Sequence, residues 1–279
     1  IWFGLAPADR PATDGTEAER IPFRRLGLLS LAVLAVAYAG ITGTAGGMAA
    51  SLAAGLAALA LFLRLDGKSA GDRLLPCRAF DPRDPVGAAL VMVLAVSIAT
   101  MGLTTYGPLL MALIHATPPL IAGYVVAAVS IAWTVGAVLS SGLPERHDPK
   151  IIAAGLCLIF LSVVGLLYAV PHGPVALIAV FAACEGLGFG LSWTFVLRRG
   201  MRLVRAEDAD RLSAGLPTIS RLGYAFGASA VGIFANAAGF SAEAGPDAAA
   251  DVARVIFAGS LPFAAIAMLC MARFVTARV

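Results

Sequence analysis

Two stretches of the chain, Leu26 to Leu63 and Pro85 to Leu143, contain no Asp, Glu, Lys or Arg. A compact soluble globule needs charged side chains on every face, and charged residues make up about 25% of soluble domains. Here they make up 13%, with a mean hydropathy of +0.88. Lipid must cover the charge-free runs. Within a bilayer the backbone has to satisfy its own hydrogen bonds, which leaves helices and closed barrels. The alternating segments of about ten residues that mark a barrel are absent.

A run of about 20 apolar residues crosses a hydrocarbon core of about 30 Å. As a single helix, Leu26 to Leu63 would be about 57 Å long, so a turn is expected at Gly40 to Gly47. Val86 to Leu143 is expected to break between Gly107 and Pro119, where Pro108, Pro118 and Pro119 interrupt helix continuity. The later spans are Ile151 to Val170, Pro174 to Leu197, Ser213 to Ala238 and Ala253 to Phe274. The sequence thus predicts an all-α polytopic membrane protein of eight transmembrane helices, an extra helix pair followed by a six-helix unit. The boundaries are a cytoplasmic segment 1–25, a two-helix insert 26–65, a charged loop 66–85 and the six-helix unit 86–279.

Orientation follows from Lys and Arg in alternate loops. One side collects Arg10, Arg20, Arg24, Arg25, Arg64, Lys68, Arg73, Arg78, Arg83, Arg146, Lys150, Arg198, Arg199, Arg202, Arg205, Arg211, Arg273 and Arg278. The other side has Arg254, in or beside a loop that carries Glu243, Asp247 and Asp251. Both ends are therefore expected in the cytoplasm of a bacterial inner (plasma) membrane, which agrees with an even number of crossings. The chain opens on Ile1-Trp2-Phe3-Gly4, a scrap that reads as the tail of a preceding helix and leads us to expect a fragment. Cys157, Cys184 and Cys270 lie in apolar runs and Cys77 in a polar loop, so free thiols are expected.

Local sequence adds Gly-rich helices: Gly123-Tyr124 through Trp133-Thr134-Val135-Gly136, Glu185-Gly186-Leu187-Gly188-Phe189-Gly190, and Arg221-Leu222-Gly223-Tyr224 through Gly227. With the topology, these resemble the C-terminal portion of a major facilitator superfamily transporter, in the fourteen-helix drug:proton antiporter branch. There, two additional helices lie between two six-helix halves. The superfamily's cytoplasmic motif, ideally Gly-x-x-x-Asp-Arg-x-Gly-Arg-Arg, has a counterpart at Ser141 to Lys150, where Glu145, Arg146 and Lys150 fit and the glycines do not. The resemblance implies a multi-pass transporter moving a small solute, with protons as the coupling ion, drug-like or amphipathic compounds as cargo and a six-helix N-terminal half as partner. It implies no cofactor and no nucleic acid.

Glu185 is the only acid deep inside a predicted span, where a bare carboxylate is costly and an ionisable group is a functional candidate. It could bind the coupling proton or a cationic solute, or serve as a carboxyl hydrogen-bonded to a neighbouring helix. Arg221, about 8 residues into its span, could pair with Glu185 or extend toward the interface. Gly186 and Gly190, and Gly223 and Gly227 on the next helix, permit close backbone approach, most simply with each other. Ser97, Thr100 and Thr104 share a helix face, as do Ser130, Thr134 and Ser141. With Tyr106, Tyr124, Trp133 and Phe189 they make a plausible lining for an amphipathic solute. His115 and His172 stand apart from any Cys or acid cluster, so no metal site is expected. An intramembrane enzyme lacks support, since there is no Gly-x-Ser-x-Gly or His-Glu-x-x-His. A non-transporting membrane scaffold or partner subunit remains the alternative.

Overall fold

The structure, a computed structural model, describes residues 23–42, 44–69, 73–241 and 245–277. Arg10, Arg20, Glu243, Arg278 and all but the last three residues of segment 1–25 lie outside the described residues. Within them the chain forms α1 (Phe23–Ile41), α2 (Ala45–Lys68), α3 (Pro85–Ala99), α4 (Met101–His115), α5 (Pro119–Ser140), α6 (Asp148–His172), α7 (Val175–Leu203), α8 (Ala209–Ala237) and α9 (Pro246–Thr276), and no strand. Only Thr100 separates α3 from α4, and together they make one crossing of 31 residues. Eight crossings result. Seven are apolar enough along their length to span a bilayer, and α8 has the length, at 29 residues, while carrying Asp210, Arg211 and Arg221.

The break expected between Gly107 and Pro119 is narrower in the structure. The helix runs through Gly107 and Pro108, because Leu110 and Met111 on the next turn are fully buried and hold it in place. It ends at His115, where Ala116 adopts a left-handed conformation (φ 49°) and Pro119 opens α5. Proline suits that first helical position, where its missing N–H costs nothing. Several termini extend beyond the predicted spans. The end of α7 reaches Leu203 because Arg198, Arg199 and Arg202 find acceptors there. The start of α8 moves back to Ala209 and that of α9 to Pro246, another proline near a helix start.

The crossing α3/α4 is the central one, with 78% of its most apolar window buried, against 17% for α5. It packs against α8 and α9, while α7 is clasped between α5 and α6. Two large apolar clusters fill most of the interior. One gathers Leu90, Met92, Ile152, Phe195, Leu212 and Phe274, and the other Leu103, Leu110, Met111, Ile178, Ile256 and Phe257. The α1–α2 pair lies along α8, where Gly40 meets the backbone of Ser229 and accepts a bond from Asn236 Nδ2 at 3.2 Å. At the other end of that pair, buried Arg25 donates to Asp66 at 2.9 Å. Asp66 also accepts the Leu74 and Leu75 amides, which fixes the start of the loop to α3.

Candidate functional site

Glu185 lies on α7, 10 residues from Val175 and 18 from Leu203, which is about 15 Å and 27 Å at the helical rise. Its side chain is sealed, only 2% exposed. The Ser162 hydroxyl of α6 lies beside the carboxyl and is itself bonded to the Phe181 carbonyl at 2.8 Å. Oε2 is buried with no hydrogen-bond partner. No ion pair to Glu185 is present among the described residues. A carboxylate there would have the Ser162 hydroxyl beside it and no cation among the described residues to offset its lost hydration, whereas the neutral acid carries no net charge to desolvate.

Of the two readings of Arg221, the pair with Glu185 does not form. Arg221 is exposed on α8, and α8 turns its small residues toward α3 rather than α7. A Cβ on Gly223 would lie 2.5 Å from Ser97 Cβ, and one on Gly227 2.6 Å from Met101 Cγ and 2.9 Å from the Ile98 carbonyl. The expected contact of Gly223 and Gly227 with the Gly186–Gly190 helix is therefore corrected: their partner is α3. Ser97 and Ser220 meet at 3.2 Å in the same seam, which places Ser97 in a helix contact and not in an open lining.

Gly186 and Gly190 face α5 instead. Side chains there would meet the Val129 carbonyl at 1.9 Å and the Trp133 carbonyl at 2.1 Å, so only glycine permits this approach. The approach stacks the Trp133 and Phe189 rings, with centroids 5.0 Å apart and planes 7° from parallel. Phe189 is one turn beyond Glu185, so these residues form one compact group on α5, α6 and α7. Tyr124 and Thr134 lie elsewhere on α5, both exposed, and the Thr134 hydroxyl is bonded to the Ser130 carbonyl at 3.0 Å. Tyr106 sits edge-on to Phe240.

At the α5–α6 connection, sequence reasoning singled out Glu145, Arg146 and Lys150. Arg146 and Lys150 are exposed, and Glu145 pairs with Arg202 at 2.8 Å. The residue that organises the junction is Asp148, fully buried and paired with both Arg198 and Arg202 of α7. The neighbouring Arg199 donates to the Phe274, Val275 and Ala277 carbonyls, covering the exposed end of α9. In the sequence, the available signal was three arginines in one turn of helix facing a single Asp-Pro helix start. Asp208, in the α7–α8 connection, accepts the Cys77 amide at 3.1 Å and pairs with Arg211 at 2.8 Å. Burial pushes its carboxyl up, but the Arg211 bond and the Cys77 amide outweigh that and hold it below the usual range. His115 is bonded to the Val170 carbonyl at 2.8 Å, and His172 to Arg254 at 3.0 Å.

The fold and these buried polar groups define a polytopic all-helical membrane protein. No protein-family model matches the chain. It is similar to a probable multidrug-efflux transporter of Mycobacterium tuberculosis, seen in strain CDC 1551 / Oshkosh and in strain ATCC 25618 / H37Rv. Each is 27% identical over 244 residues, which cover 84% of this chain and 50% of the relative. The chain spans about half the length of these curated relatives.

Proposed function

We propose that this chain is the C-terminal portion of a major facilitator superfamily transporter of the fourteen-helix drug:proton antiporter branch. The complete protein exports amphipathic compounds across a bacterial inner membrane in exchange for protons. In this reading α1 and α2 are the inserted pair, α3 to α9 are the second six-helix half, and an N-terminal half supplies the opposing wall. Both ends of the chain face the cytoplasm, in keeping with the basic loops. The protein acts on its cargo by moving it rather than by making or breaking bonds.

The observation that carries the proposal is Glu185: a sealed carboxyl at membrane depth, with an unpartnered oxygen and no neighbouring cation among the described residues. Intramembrane acids of this kind are costly and mark ion pathways by default. In the proposed cycle Glu185 takes a proton in one state and gives it up in another, as the two halves rock about a site near the midplane. The Trp133–Phe189 stack lies within a turn of Glu185 along α7, so motion of α5 against α7 would change access to the carboxyl. Tyr124, Thr134 and Arg221 are on exposed faces, where they would line the path between halves.

The test is transport by the complete gene product in proteoliposomes with an acidic interior. Ethidium should accumulate inside while protons leave, and nigericin should abolish the accumulation. A folded protein that moves neither ethidium nor any of a panel of amphipathic dyes under that gradient would support the scaffold reading instead.

A further inference from the structure

Arg221 lies 12 residues from Ala209 and 16 from Ala237 on α8, about 18 Å and 24 Å along the helix. A helix of that length overhangs a hydrocarbon core of about 30 Å by about 6 Å at each end. Arg221 is thus about 12 Å inside the core, too deep for its side chain to reach the headgroups. Lipid phosphates are out of range for the same reason.

The rest of α8 is committed. Gly223 and Gly227 meet α3, Ser220 bonds Ser97, and Ser229 and Asn236 meet Gly40 of α1. What remains is a face with Ala214, Pro217, Thr218 and Arg221, all exposed. The Thr218 hydroxyl is already bonded to the Ala214 carbonyl at 2.8 Å. Arg25, Arg198, Arg199 and Arg202 all hold acceptors. Arg221 holds none among the described residues, leaving five N–H donors open at membrane depth. Glu185, the one acid at comparable depth, is sealed behind α5 and α6.

A guanidinium cannot shed its charge and is costly in hydrocarbon, so its face is either wet or matched by an anion. The planar fork fits a carboxylate with two parallel bonds. One cation with no second beside it balances one negative charge, which favours a carboxylate over a doubly charged phosphate. We propose that Arg221 is a carboxylate-binding residue of the translocation pathway. The carboxylate belongs either to the transported amphipath or to the six-helix half preceding this chain. The inference rests on the transporter reading above.

The probes are pyrenebutanoate and its uncharged amide, binding to the detergent-purified complete gene product by fluorescence, with thermal melting measured alongside. If the cargo supplies the carboxylate, the wild type should bind the acid about tenfold or more tightly than the amide. Arg221→Gln should erase that preference without lowering the melting temperature, and Arg221→Lys should keep part of it. If the opposing half supplies it, the wild type should show no preference, Arg221→Gln should melt several degrees lower, and Arg221→Lys should recover most of the loss. An acid preference that survives in Arg221→Gln overturns the inference. So does a wild type with no preference whose melting is unchanged by Arg221→Gln. Ethidium transport by the wild type, read in parallel, tells whether the transporter reading itself has failed.

Discussion

Asp148, fully buried at the start of α6, holds Arg198 and Arg202 of α7 with a single carboxylate. Glu185 stands out in the sequence because it is one acid in a long apolar run, and its cost in lipid can be read without a structure. Asp148 sits among Glu145, Arg146, His147 and Lys150, and its partners Arg198 and Arg202 are 50 and 54 residues away. No local pattern says which acid of such a group is buried. The structure chooses Asp148 because it begins α6 directly against the end of α7. Asp148→Asn weakens two charge-assisted bonds worth about 1.5–3 kcal/mol each. It should destabilise the protein by about 3 kcal/mol in a reversible denaturation titration in detergent, while Lys150→Ala should cost under about 0.5 kcal/mol. Equal effects of the two changes would contradict the assignment.

At the scale of helices, the length of the apolar runs and the turn residues between them located the crossings, but not which helix each one touches. The glycines of α8 were visible as close-packing residues. Their partner is not legible there, because helices adjacent in sequence need not be adjacent in space: α8 runs beside α3, and α7 is enclosed by α5 and α6. Gly223→Leu or Gly227→Leu should therefore push α8 from α3 and cost about 1–3 kcal/mol. Cross-linking between Cys replacements at Ser97 and Ser220, whose hydroxyls meet at 3.2 Å, should be efficient, and none is expected between Ser220 and Ser192 of α7, which packs on Gly155 of α6. The reverse pattern would restore the original expectation. Asp208 ties the loop before α3 to the α7–α8 connection. Because its folded carboxyl is held below the ordinary value of 3.8, its contribution is complete above that pH and is lost only as the folded group protonates below it. Protection of the Cys77 amide from hydrogen exchange, corrected for intrinsic rate, should be equal at pH 7 and pH 5, and Asp208→Asn should lower it at both. A fall in protection of the wild type between those values would break the argument.

For the whole molecule, the basic residues predict a sidedness that rests on composition alone. In a version lacking the four cysteines, Asp247→Cys should react with an impermeant maleimide in intact cells and Arg205→Cys only after the membrane is opened. Labelling of Arg205→Cys in intact cells with protection of Asp247→Cys would invert the topology. The central claim is that a proton moves on and off Glu185 as cargo crosses. Glu185→Gln preserves size and hydrogen bonding and removes the titrating group, and with no ion pair to break it should leave folding unchanged. The direct measurement is cargo-induced proton movement in proteoliposomes bearing the complete gene product, wild type and Glu185→Gln, with melting temperature recorded for both. The account predicts proton movement by the wild type, none by Glu185→Gln, and equal melting temperatures. Wild-type proton movement by a normally folded Glu185→Gln protein would contradict it.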